Sequence, residues 1–246
     1  MQTPPPVPAS LAAQLVRADA ALQRRVTRAE AATEWLIELR LSEDATLERK
    51  VVRLLPSRLA RDVVDDVTAH RELARLTRPR PLSAFRVGPA AASSQLRADY
   101  AEAQRRSGIA WQVLAAVNYI ESDFGRMREA SVAGAQGPMQ FLPSTWSAYG
   151  RGSIRDPHAA ILAAARFLNA AGGRRDERAA LYRYNPSAAY VDAVERYAGR
   201  IRRDPRTFLV LYARPLVVRT RPGTGGSGRP LCYIIARAGW FPAPTL

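Results

Sequence analysis

The sequence predicts a mainly α-helical protein with a small β-rich tail, and three observations predict it. Apolar residues recur at three- and four-residue steps through most of the chain from Ser10 to Ile201. Helix starts and stops punctuate that pattern, among them Ser57, Gly108, Asp156-Pro157 and Gly172-Gly173. Past Pro205 the period gives way to short β-branched and aromatic runs around a Gly-rich stretch.

Residues 1–9 are Pro-rich and read as an extended tether. Residues 10–78 read as an N-terminal helical subdomain. Ser10 is a candidate cap for a run with Leu11, Leu15, Ala18 and Leu22 on one face. The run continues to about Leu41, as one long helix or two. Ser42 to Asp44 break it, and a short helix spans about Ala45 to Leu54. Ser57 begins another helix, to about Leu76. It carries Leu59, Val63, Val64 and Val67 inward and Arg58, Arg61, Asp62 and Asp65 outward. Charged positions fall opposite apolar ones, so this region reads as packing.

Residues 79–93 contain Pro79, Pro81 and Pro89 and read as a linker. Residues 94–205 are again helical: Ser94 to about Arg106, the run up to Glu121, the helix with Trp146, then Pro157 to Ala171, Asp176 to Tyr184 and Tyr190 to Ile201. Residues 206–246 read as a β-hairpin appendage, with strands at Phe208–Tyr212, Pro215–Thr220 and Leu231–Ala236 and a turn at Gly223–Gly228.

Composition narrows the chemistry. The chain has 246 residues and a net charge of +15, and Lys50 is its only lysine. Such a charge calls for an anionic partner. The arginines are dispersed rather than grouped with aromatic platforms, so nucleic acid is not the expected one. Cys232 is the only cysteine, which excludes an internal disulfide and a thiolate metal site. His70 and His158 are the only histidines and neither has a second ligand nearby in sequence, so no metal, cofactor or His-based triad is expected. No apolar run approaches membrane-spanning length. The first residues lack the basic and apolar stretches of an export signal.

The stretch from Trp111 to Trp146 holds the most chemistry. An apolar helical run, with Val113, Leu114, Val117, Ile120 and Phe124 on one face, ends in one carboxylate, Glu121. Partial desolvation and the negative end of the helix dipole both favour its neutral form, so its pKa is expected to rise. That prepares a carboxyl group to give up a proton near neutral pH. Most glycosidases use two carboxyl groups, but Asp123 lies about 200° further around a helix, and no other candidate stands out. Gly134 and Gly137 then permit close backbone approach to a ligand. Met139 is expected near a cleft and Phe141 in packing.

The ordered set Glu121-Ser122, Ser131, Ala133-Gly134-Ala135, Gly137-Pro138-Met139-Gln140-Phe141, Pro143-Ser144-Thr145-Trp146, Tyr184-Asn185 and Tyr190 resembles the lytic transglycosylases. These bacterial enzymes cleave peptidoglycan on a goose-type lysozyme-like fold, and the wording is closest to the secreted actinobacterial group. The resemblance runs from about Ile109 to Tyr197. It implies Glu121 as the catalytic residue, acid and then base, with Ser131, Gly137, Met139, Gln140, Tyr184, Asn185 and Tyr190 binding the substrate. Ser131 matches the position that helps hold the glutamate or the substrate acetamido group, and Tyr184-Asn185 line the cleft. Pro186 departs from the common family residue, which leaves that turn open. The implied partner is peptidoglycan glycan strands; anionic wall polymers would suit the basic charge, and a monomer is favoured with the oligomeric state left open. The implied location is extracytoplasmic, with the targeting segment absent from this chain. A hydrolytic muramidase on the same fold and a non-catalytic wall-binding module remain open alternatives.

Overall fold

A computed structural model describes residues 7–220, 232–236 and 239–242. The Pro-rich start of the tether and the expected turn at Gly223–Gly228 lie outside the described residues. The chain divides into two compact units, residues 1–79 with 204–246, and residues 80–203.

The first unit contains α1 (Pro8–Arg24), α2 (Arg28–Glu43), α3 (Ala45–Val52) and α4 (Ser57–Leu76). The long N-terminal run is therefore two helices. α1 starts at Pro8, ahead of Ser10, because Pro suits the first turn of a helix, where an N–H has no partner to lose. Thr27 caps α2 by accepting the Glu30 N–H, and Asp44 caps α3 by accepting from Thr46 and Leu47. Leu11, Leu15, Ile37, Leu41, Val51, Leu59, Val63 and Val67 meet in one apolar core. Each such side chain contributes roughly 1.5–3 kcal/mol on burial.

The same unit takes in the C-terminal segment. Phe208–Tyr212, expected as a strand, lies in helix α11 (Thr207–Ala213), and Val210 packs with Leu22 and Ala31. β1 (Leu216–Arg219), β2 (Cys232–Ala236) and β3 (Gly239–Pro242) follow as an antiparallel sheet in the order β1-β2-β3. Leu216 pairs with Ile235 and Tyr233 with Pro242.

Between α11 and β1, the Arg214 guanidinium is buried among three carboxylates. Its Nη2 donates to Glu34 at 3.0 Å, Glu38 at 2.8 Å and Asp66 at 2.5 Å. It also lies 4.8 Å from the Trp35 ring. Three acids of α2 and α4 therefore face inward, against the sequence pattern that put charge outside.

The second unit contains α5 (Ser93–Ser107), α6 (Trp111–Ser122), α7 (Pro143–Tyr149), α8 (Pro157–Ala170), α9 (Glu177–Tyr184) and α10 (Ala188–Arg203). α6 is its axis. Val113 to Asn118 are all buried, so the helix is enclosed on nearly every side rather than along one face. Tyr119 meets Tyr197 of α10 edge to face with centroids 5.0 Å apart. α5 ends on Gly108, whose φ of 77° is the left-handed geometry that closes a helix. Asp156 caps α8 and Asp176 caps α9.

The stretch from residue 80 to 93, expected as a linker, packs as part of this unit. Val87 bridges to Met127, the Gly88 N–H donates to the Arg126 carbonyl at 2.9 Å, and the Arg128 N–H donates to the Arg86 carbonyl at 2.8 Å. Pro ends the helices here, yet the extended chain still pairs with the loop that follows α6.

Candidate active site

Glu121 is the penultimate residue of α6, half-buried, with Tyr190 of α10 facing it. Tyr190 Oη donates to Glu121 Oε1 at 2.7 Å. Burial pushes the Glu121 carboxyl up from 4.5 to about 7, and the Tyr190 hydrogen bond, which favours the carboxylate, offsets only part of that. Burial and the neighbouring Glu121 charge push the Tyr190 hydroxyl well above its ordinary value, so it stays a donor.

Just past Glu121 the backbone turns sharply. Asp123 and Phe124 have φ of 51° and 60°, and Gly125 follows at 82°. Two non-glycine residues in the left-handed region cost on the order of 1–3 kcal/mol each. Phe124 is fully buried and Ser122 Oγ accepts the Gly125 N–H at 2.8 Å, which holds the turn in place. Asp123 is outside the helix altogether and pairs with Arg126 at 2.8 Å. The helical angle from Glu121 therefore does not describe it; the chain leaves α6 first.

The Gly137-Pro138-Met139-Gln140 segment is tied down onto α6. The Pro138 carbonyl accepts from Asn118 Nδ2 at 2.8 Å and Ser122 Oγ at 2.5 Å. Tyr184 Oη, at the end of α9, donates to the Met139 carbonyl at 2.6 Å. Gly137 has φ of 76°, and a Cβ there would lie 1.9 Å from the Ile154 carbonyl oxygen, so glycine is required twice over. An edge-to-face aromatic chain braces Tyr184: Phe141 lies 5.8 Å and Phe167 5.3 Å from its ring. Burial and the Glu121 charge raise the Tyr184 hydroxyl as well.

Glu121, Tyr190, Tyr184 and the loop at Met139 thus form one connected group around a single carboxyl group poised to exchange a proton near neutral pH. The family model described as the transglycosylase SLT domain matches residues 99–205. This part of the chain belongs to the transglycosylase SLT domain family. No curated protein and no solved structure matches the chain.

The SLT domain is mainly helical and lysozyme-like, and its family is one of glycan-cleaving transglycosylases. It lies almost wholly within the second unit. The remaining expected residues of the SLT domain sit as follows. Met139 has its side chain fully enclosed and offers its backbone to Tyr184. Gln140 adopts φ of 46° and its Nε2 donates back to the Gly137 carbonyl at 3.0 Å. Ser131 is exposed, and its hydroxyl accepts the Ala135 N–H at 3.0 Å, so these bonds of Gln140 and Ser131 shape the loop itself. Asn185 caps α9 in an extended conformation, and its carbonyl accepts the Ser187 N–H at 2.8 Å across Pro186. Sequence reasoning gave Asn118 no role. Its signal was an amide that interrupts the apolar run from Val113 to Ile120, four residues before Ser122. Among the described residues, no helix is long and apolar enough to cross a membrane.

Proposed function

We propose that the protein is a peptidoglycan lytic transglycosylase with Glu121 as its acid and then its base. The raised carboxyl of Glu121, facing a tyrosine that stays protonated, carries this reading. A pKa of about 7 leaves the group able to donate and to accept at working pH.

Neutral Glu121 protonates the glycosidic oxygen between N-acetylmuramic acid and N-acetylglucosamine as the C1–O bond breaks. The substrate's own acetamido oxygen stabilises the cationic C1. The Glu121 carboxylate, which keeps the Tyr190 bond, then takes the C6 hydroxyl proton while O6 bonds to C1. The product has a 1,6-anhydro end, Glu121 is protonated again, and no water is consumed. Tyr184, Asn185, Gly137, Met139, Gln140 and Ser131 shape the walls for the sugar, through backbone groups at Met139. The substrate places the protein outside the cytoplasm, where its basic charge also suits anionic wall polymers.

Glu121→Gln tests the assignment. It keeps the shape and an acceptor for Tyr190 and removes the proton exchange. Purified variant and wild type are compared for release of soluble fragments from sacculi. Loss of release with an unchanged circular dichroism spectrum is expected; wild-type release by the variant would sink the proposal.

A further inference from the structure

We infer that Asn118 is a positioning residue, which sets the reach between Glu121 and the Met139–Gln140 turn by clamping the Pro138 carbonyl. The inference rests on the reading of Glu121 as the proton donor. Asn118 is fully buried in α6, three residues before Glu121. A buried amide costs stability unless its polar atoms are bonded, so an alanine or leucine would serve the core better if packing were its only task. Its bonds join three segments. Tyr100 Oη, from α5, donates to Asn118 Oδ1 at 2.6 Å, and Asn118 Nδ2 donates to the Pro138 carbonyl at 2.8 Å.

The orientation of the amide follows from chemistry. A carbonyl only accepts, so the nitrogen must face Pro138 and the oxygen must face Tyr100. Tyr100 is fully buried, and burial and Asp99 hold its hydroxyl well above its ordinary value, so it remains a donor that fixes the amide. Ser122 Oγ donates to the same Pro138 carbonyl and also accepts the Gly125 N–H, which links the clamp to the turn just past Glu121. The Met139 carbonyl one residue on takes the Tyr184 hydroxyl. Glu121 and the loop are thereby fixed to one helix segment, as catalysis by a single carboxyl group requires.

The test uses the full chain with Asn118→Leu and Tyr100→Phe. Leucine keeps the length and branching of the side chain but gives Pro138 no donor at any pH. Steady-state cleavage of soluble glycan strands is measured alongside backbone hydrogen exchange at Gln140 and Phe141. Those two amides donate to Gly137 and Gln136 and report the loop turn directly. For Asn118→Leu, kcat should fall by about tenfold or more with KM changed by less than about threefold, and exchange at both amides should accelerate. Tyr100→Phe should move both readouts the same way by less. Wild-type kcat and exchange in Asn118→Leu would overturn the inference. So would a loss of kcat that matches the unfolded fraction while exchange in the folded protein is unchanged. A wild-type protein with no action on glycan strands would instead remove the functional reading, and the exchange data alone would then decide the clamp.

Discussion

Tyr190 donates a 2.7 Å hydrogen bond to Glu121, and this bond works against the burial that raises the Glu121 carboxyl. The pair therefore sets the proton affinity of the site by opposition. Tyr190→Phe removes the hydrogen bond that favours the carboxylate, so the Glu121 pKa should rise above about 7. The alkaline limb of the pH profile of kcat/KM, where the acid form is lost, should move to higher pH. The rate at the optimum should fall about tenfold. A limb that stays in place or moves down contradicts the arrangement.

Glu121 also makes stability depend on pH. Its folded pKa of about 7 exceeds its ordinary 4.5, so between those values the folded state binds more protons than the unfolded state. Stability conferred by the protonated form is complete below 4.5 and is lost as pH rises to about 7. The loss is about 3 kcal/mol at most, at roughly 1.4 kcal/mol per pH unit. Glu121→Gln should therefore be more stable than wild type at pH 8, and the gain should shrink toward pH 4.5. Urea titrations of the two proteins across this range, followed through the SLT domain, check the slope.

Gly137→Ala should lower stability by more than about 2 kcal/mol, because its φ of 76° disfavours a side chain and the new Cβ meets backbone rather than a movable side chain. A melting temperature within about 1 °C of wild type contradicts this.

Arg214→Met leaves Glu34, Glu38 and Asp66 close together in the core of the first unit. Removing one partner of a buried ionic group typically costs about 3–5 kcal/mol. Hydrogen exchange of the α2 and α4 amides should accelerate accordingly. Exchange unchanged in those helices would mean the cluster contributes little.

These particulars show what a sequence displays and what it hides. Periodicity and punctuation delivered the span of α4, from Ser57 to about Leu76, and the Gly-Pro-Met-Gln loop pointed to the candidate site. Phe208–Tyr212 went astray because a short, wholly apolar run has no period to separate strand from helix. Glu34, Glu38 and Asp66 read as surface because their guanidinium partner lies far along the chain, and only folding brings it in. The Asn118 clamp was hidden for the same reason: its partners are a tyrosine on another helix and a backbone carbonyl, which no side-chain pattern records.

The central claim is that one glutamate cleaves the glycan with the substrate's own C6 hydroxyl as nucleophile. Digestion of peptidoglycan in heavy-oxygen water, with the products read by mass spectrometry, tests it most directly. The account predicts 1,6-anhydro muramic ends that carry no heavy oxygen, and none of these products from Glu121→Gln. Reducing ends labelled from the water would contradict it and identify a hydrolase.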